Sequence, residues 1–194
     1  MIRLKKYRSY KGEVGTVVAN VLARNFSAQA PNQKWATDIT EFKVAGKKLY
    51  LSPIIDLFNR EIISFELTES PNYKHVAKLL DKTFKKHKQT CDLILHSDQG
   101  WHYQMKHYQK ELANQNVTQS MSRKGNCLDN AVIENFFGTL KSELFYLKKY
   151  QSIHQLKKEI KEYIHYYNHQ RIKSNLNGKS PVQYRALSLN LNHS

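Results

Sequence analysis

Asp38, Asp98 and Glu134 are the side chains of this sequence whose setting points to chemistry. Asp98 follows the stretch Leu93-Ile94-Leu95-His96-Ser97 and precedes Gln99-Gly100. A short apolar run that ends at a turn signal reads as a buried strand rather than a helix. Its carboxylate then stands at the carboxyl end of a strand, the edge of an open α/β sheet where loops gather polar groups without breaking the core. Sixty positions earlier Asp38 lies in a second apolar run, and thirty-six positions later Glu134 falls on a helical pattern. On a strand through residues 35–44, Asp38 shares a face with Ala36, Thr40 and Phe42, whereas Glu41 points the other way and is a poor partner. Three converging acids repel each other and retain protons unless a cation sits between them, which makes the set a metal-site candidate. Hard oxygen ligands without soft ones select Mg2+ or Mn2+. Two such ions about 3.5–4 Å apart can activate an attacking oxygen and stabilise a leaving oxygen at phosphorus. Asp56 and Asp92 lie at other points of their strands, and Asp129 is better placed as a helix cap.

The helix of Glu134 carries more. Lys141, seven residues on, shares its face within about 20° and lies roughly 10.5 Å further along the axis. The acid can thus bind metal while the lysine reaches a phosphate. Gly138 on the same stripe lets another backbone approach, at a cost of about 1 kcal/mol against alanine. Val132, Ile133, Phe136, Phe137, Leu140 and Leu144 supply the buried side.

The elements that must position these groups follow from pattern. Residues 1–29 are basic, weakly patterned and rich in small residues, and read as a linker or remnant; Val17, Val18, Val21 and Leu22 allow a helical turn or two. Residues 35–44, 48–57 and 61–68 read as an antiparallel meander. From 72 to 88 the period becomes helical, with Val76, Leu79, Leu80, Thr83 and Phe84 on one stripe. The strand ending at Asp98, a helix over 103–114 and a fifth strand over 117–121 complete a mixed α/β sheet. Residues 122–128 hold Arg123, Lys124 and Gly125 in a flexible basic loop whose two cations suit phosphates. Asp129 or Asn130 then caps a helix running to about Tyr146. A long helix covers about 153–170, and Ser180-Pro181 opens a last short one. The core is expected over 30–187, with a helical C-terminal extension from about 150 and a tail over 188–194.

Charge names a class of partner. The 194 residues hold 31 Lys and Arg against 16 Asp and Glu, a net +15. Residues 1–34 carry seven basic and one acidic side chain and residues 141–194 carry ten and three, so thirteen of the fifteen charges lie in the flanks. A near-neutral centre holding acids, bracketed by basic arms, suits an enzyme acting on a nucleic acid whose phosphates the arms neutralise. Lys148, Lys149, Lys157 and Lys158 are the C-terminal arm's densest cations. No run approaches the length needed to cross a bilayer, and no secretion signal stands at the start, which makes the cytoplasm the expected compartment. Cys91 and Cys127 form neither a CxxC pair nor a disulfide framework. Among nine histidines only His165 and His169 have i,i+4 spacing, without an HExxH register, which argues against zinc.

At three places the sequence resembles a family. Trp35-Ala-Thr-Asp38-Ile-Thr, His96-Ser-Asp98-Gln-Gly100-Trp-His-Tyr103 and Ser122-Arg-Lys-Gly125-Asn-Cys-Leu-Asp129-Asn-Ala131-Val-Ile-Glu134-Asn-Phe-Phe are similar to the retroviral-integrase-like DDE core of insertion-sequence-three family transposases, second reading frame. Thirty-five residues separate the second acid from the glutamate, as in that pattern, and a basic residue, here Lys141, follows seven later. The resemblance implies a ribonuclease H-like five-stranded mixed sheet, two divalent ions held by Asp38, Asp98 and Glu134, and DNA cleavage and strand transfer at element ends. It implies that Lys141 contacts terminal DNA, that the partners are double-stranded DNA and further copies of the chain, and that the first-reading-frame protein is a candidate partner. Members usually carry a helix-turn-helix region ahead of the core, where this chain has only about thirty residues, so a truncated frame or a fragment is also an expectation. A non-catalytic DNA-binding remnant, for which the basic flanks suffice, and a nuclease on the same fold remain open alternatives.

Overall fold

The computed structural model describes residues 15–87 and 92–191. Cys91 and residues 1–14 of the expected linker lie outside them. Strands β1 (Lys34–Thr37), β2 (Thr40–Val44), β3 (Lys47–Asp56) and β4 (Ile62–Thr68) come first, followed by helix α1 (Tyr73–Lys86) and strand β5 (Ile94–Ser97). Then come α2 (Lys106–Asn114), β6 (Thr118–Met121), α3 (Ala131–Glu143), α4 (Ile153–His169) and α5 (Pro181–Leu191).

The meander forms as its pattern predicts. Ala45 and Gly46 both have positive φ, 49° and 74°, the requirement of a two-residue turn whose twist matches its strands, and Val44 pairs with Lys47 across it. The first expected strand, however, is broken into β1 and β2 at Asp38-Ile39. The Asp38 carboxylate takes the Ile39 amide itself, at 2.7 Å, a side-chain bond that competes with the sheet ladder. Both halves lie against long β3, while β1 also pairs in parallel with β5, and β5 with β6. Five rows of strand, one of them interrupted, thus make the mixed sheet.

Both faces of the sheet are covered, and its central strands are accordingly apolar on both sides. Trp35 points into a core built with Val76, Leu80 and Phe84 of α1 and Tyr108 and Leu112 of α2. Its neighbour Ala36 points into the opposite core, with Ile133, Phe136 and Leu140 of α3 and Leu156, Ile160 and Tyr167 of α4. Asn72 caps α1 by accepting from the His75 amide, and Ser152 caps α4 by accepting from that of Gln155. Ser180 accepts from the Gln183 amide ahead of Pro181, and α5 runs on to Leu191, past the expected boundary at 187.

Residues 17–22 are not helical. They form a strap: the Thr16 amide donates to the Gln104 carbonyl, the Leu22 amide to Ser120 Oγ, and the Met121 amide to the Ala19 carbonyl. Leu22 is buried in one core and Val18 packs part-buried against the other, whereas Val17 and Val21 are exposed, so two separate anchors replace the continuous amphipathic face that a helix would need. No helix of the described residues is long and apolar enough to cross a membrane.

Candidate active site

Register brings the first two acids together. β1 and β5 run parallel with Ala36 opposite His96, so Asp38 and Asp98, each two residues further on, emerge at one level from strands about 4.8 Å apart. Glu134 sits on the first turn of α3, solvent-exposed. All three acids line an open cleft of ≈ 710 Å3 with Gln99, Gly100 and Asn130.

Asp38 accepts from the Ile39 amide and, at 3.3 Å, from Asn130 Nδ2. Asp98 accepts from the Gly100 amide at 2.9 Å, and a Cβ at Gly100 would stand 2.9 Å from that carboxylate oxygen and from the His102 ring, so a side chain here would displace the Asp98 carboxylate or the His102 ring. Burial, then repulsion from Asp98 and Glu134, pushes the Asp38 carboxyl up to about 7. Burial also raises Asp98. Among the described residues no three His, Cys, Asp or Glu side chains close on one point as a finished metal site. The donors nonetheless fit a hard divalent cation, being oxygens that repel one another in a part-buried setting, the imbalance such an ion relieves.

The loop leading to Glu134 differs from its expected form. Asp129 caps no helix. Its buried carboxylate accepts from the Arg123 amide (3.0 Å), Arg123 Nε (2.9 Å) and Nη2 (2.9 Å), Arg24 Nε (2.8 Å) and Asn20 Nδ2 (3.0 Å). These donors, Arg123 foremost, hold it far below the usual carboxylate range. Arg123, expected to face phosphates, is therefore spent on Asp129, although its side chain is still 59% exposed. Ser122 is tied as well, its carbonyl accepting from Gln99 Nε2 at 3.0 Å. Lys124 and Gly125 (φ 73°) are left exposed at the tip. Lys141 lies half-buried on the Glu134 face of α3, its Nζ 5.6 Å from the Phe42 ring centroid. Gly138 between them opens onto empty space. In the C-terminal arm Lys148, Lys157 and Lys158 meet Glu159, Glu69 and Glu162, so that arm is less free for phosphates than its charge count suggests.

Asn130 and Gln99 are the site residues that sequence reasoning passed over. For Asn130, adjacency to Asp129 before an apolar helical run is the same signal for a cap and for a strut to another carboxylate.

The integrase core domain family matches residues 28–127 and again residues 134–189. The chain is 56% identical over 184 residues to the putative transposase InsK for insertion sequence element IS150 of Escherichia coli, covering 95% of this chain and 65% of that protein. It is 54% identical over 188 residues to an uncharacterized transposase-like protein of Haemophilus influenzae, covering 97% and 87%. With the transposase InsF for insertion sequence IS3A of E. coli it shares 34% over 182 residues, covering 93% and 63%. The chain thus spans about two thirds of the length of the InsK and InsF relatives. Among solved structures it is similar to the simian T-cell lymphotropic virus intasome in complex with PP2A regulatory subunit B56 gamma, with a TM-score of 0.66, 15% identity and 88% and 57% of the two chains covered. It also resembles the HTLV-2 integrase catalytic core domain in complex with magnesium, with a TM-score of 0.56, 18% identity and 81% and 98% covered. These two likenesses fix the fold as that of retroviral integrase cores, ribonuclease H-like. The chain belongs to the insertion-sequence-three family of transposases and carries their integrase-like core.

Proposed function

We propose that this protein carries out metal-dependent DNA strand cleavage and strand transfer at the ends of an insertion sequence. The observation that carries the reading is the pair Asp38 and Asp98 at one level of adjacent parallel strands, with Glu134 over the same cleft and the Asp38 carboxyl raised by burial and then by repulsion from the other two. Asp38, Asp98 and Glu134 would hold Mg2+ or Mn2+, two ions in the reading favoured here. Bound there, the ions would supply activation of the attacking oxygen and stabilisation of the leaving one. The chain's own groups do the rest. Asn130 steadies Asp38, and the Gly100 amide fixes Asp98. Lys124 at the loop tip and Lys141 on α3 take phosphates, joined by Arg123 if DNA draws it from Asp129. The partners of this reading are double-stranded DNA, further copies of the chain and the first-reading-frame protein, in the bacterial cytosol.

The test is an assay of purified protein on a labelled element-end duplex with a target duplex and Mg2+ or Mn2+. Joined products that vanish with chelator are expected; cleavage with no joining to target would make it a nuclease instead, and no metal-dependent reaction would overturn the reading.

Gly138 offers a check on where DNA lies. Its helix position is exposed and open, so Gly138→Ala should raise stability without DNA by about 1 kcal/mol. The same methyl should weaken duplex binding if the backbone passes over this stripe. Thermal melting and duplex titration of the one variant read both effects, and unchanged affinity would move the DNA path elsewhere.

A further inference from the structure

The first two turns of α3 wall a second cavity, of ≈ 330 Å3, lined in part by Arg60, Asn135, Tyr167, Lys173 and Asn175, with no acidic side chain in the lining. Arg60 sits on the β3–β4 connection in left-handed conformation, φ 63°. Its Nη2 donates to the Phe26 carbonyl at 3.3 Å, while its Nη1 is covered and, among the described residues, has no hydrogen-bond partner. Lys173 is half-buried, with its Nζ 4.6 Å from the Tyr167 ring centroid. The nearby Arg171 is committed to Glu143 through Nε and Nη2. No carboxylate of the described residues stands at ion-pair distance from Lys173 or Arg60, whereas twelve other pairs satisfy that distance elsewhere.

Two part-desolvated cations with no carboxylate at ion-pair distance are costly unless something anionic completes them. The donors are a guanidinium edge, an ammonium and two side-chain amides, a set that matches the several acceptor oxygens of a phosphate better than a single carboxylate. Asn135 adjoins Glu134 on α3, so a strand engaged at the cleft has only the width of one helix, about 10–12 Å, to cross. We propose that Arg60, Lys173, Asn135 and Asn175 form a phosphate pocket that grips the backbone of the nucleic acid whose reacting group lies in the neighbouring cleft. The choice of nucleic acid as the source of that phosphate rests on the DNA reading above.

Lys173 makes the pocket testable by more than activity. Burial and the charges of Arg171 and Arg60 lower it to about 8, with Glu143 acting in the opposite direction. Arg60, Arg171, Glu143 and Tyr167 are the charged or titratable groups facing it: burial lowers Arg60 from the ordinary guanidinium range, the Glu143 bonds raise Arg171, Arg171 holds Glu143 below the usual carboxylate range, and burial raises Tyr167. A bound phosphate raises Lys173 again, so duplex affinity should fall as pH rises from 7 to 9, by up to about tenfold, since the free ammonium is then about nine-tenths deprotonated.

Fluorescence anisotropy with a labelled duplex across a salt series, at both pH values, compares the unaltered chain with Lys173→Gln and Lys173→Arg; melting temperatures with and without inorganic phosphate form a second arm. At pH 7, Lys173→Gln should flatten the slope of log affinity against log salt by ~0.9, the effect of one lost phosphate contact, and abolish the phosphate-induced rise in melting temperature. Lys173→Arg should keep the slope and the phosphate response and lose its share of the pH dependence. A Lys173→Gln protein with the slope and phosphate response of the unaltered chain would overturn the pocket. A Lys173-dependent response to inorganic phosphate without any duplex binding would keep the pocket and overturn its DNA assignment.

Discussion

Asp38→Asn, Asp98→Asn and Glu134→Gln should each lower metal-dependent strand transfer by about 10³-fold or more. Several kcal/mol of charge stabilisation at phosphorus is lost with the ions, and each 1.36 kcal/mol is a factor of ten. Stability should respond differently at the three positions. Asp38 has its folded-state carboxyl raised to about 7 from 3.8, so without metal the fold is favoured at low pH. It loses stability as the pH rises from about 4 through 7, by on the order of 2–4 kcal/mol. Asp38→Asn should remove that loss, making the variant more stable than the unaltered chain at pH 8 in chelator while leaving it inactive. Glu134→Gln, exposed on its helix, should leave stability nearly untouched. Urea denaturation across pH, with and without Mg2+, checks all of this. Equal pH profiles for the unaltered chain and Asp38→Asn would mean that the three acids do not share one field.

Asp129→Ala is expected to cost about 2–4 kcal/mol, because five hydrogen bonds to a buried carboxylate disappear and the arginines that made them lose their anchor. Its titration runs opposite to that of Asp38. A carboxyl held far below its ordinary value adds stability above pH 4 and gives it up as the pH falls further. The functional effect should exceed what the lost stability explains. Asp129 joins the strap at Asn20 and Arg24 to the loop at Arg123, one residue before the Asn130 that steadies Asp38 and five before Glu134. Hydrogen exchange should therefore rise together over residues 19–24 and 122–134 in Asp129→Ala. A rise confined to the loop would show that the strap and the site are not coupled through this residue.

That the three acids would share one cleft was legible because each stands at the end or start of a strongly patterned element: Asp98 after an apolar run, Asp38 in a strand-like stretch, Glu134 on a helix with an apolar face. Helices α1 and α4 declared themselves through period; their caps at Asn72 and Ser152 emerge with the structure. What escaped was whatever depends on long-range partners. The break at Asp38 needs the side chain to capture the Ile39 amide, an event that leaves the alternation of Trp35, Ala36 and Thr37 untouched. Asp129 looked like a cap because short acids before helices usually are; its partners Asn20 and Arg24 lie more than a hundred residues away. The strap escapes for a similar reason, since Val17, Val18, Val21 and Leu22 have helical spacing, but Leu22 and Val18 reach different cores and the other two reach none.

That strap carries a consequence for solubility. β6 is the outermost strand beyond β5, and a strand with free amides and carbonyls along one margin is a template on which another chain can add, the route to intermolecular pairing and aggregation. The Met121 amide is occupied by the Ala19 carbonyl and Ser120 Oγ by the Leu22 amide, so residues 19–22 sit where an incoming strand would dock. Residues 19–22 thus guard a sticky border, and removing them would expose β6 to its own copies.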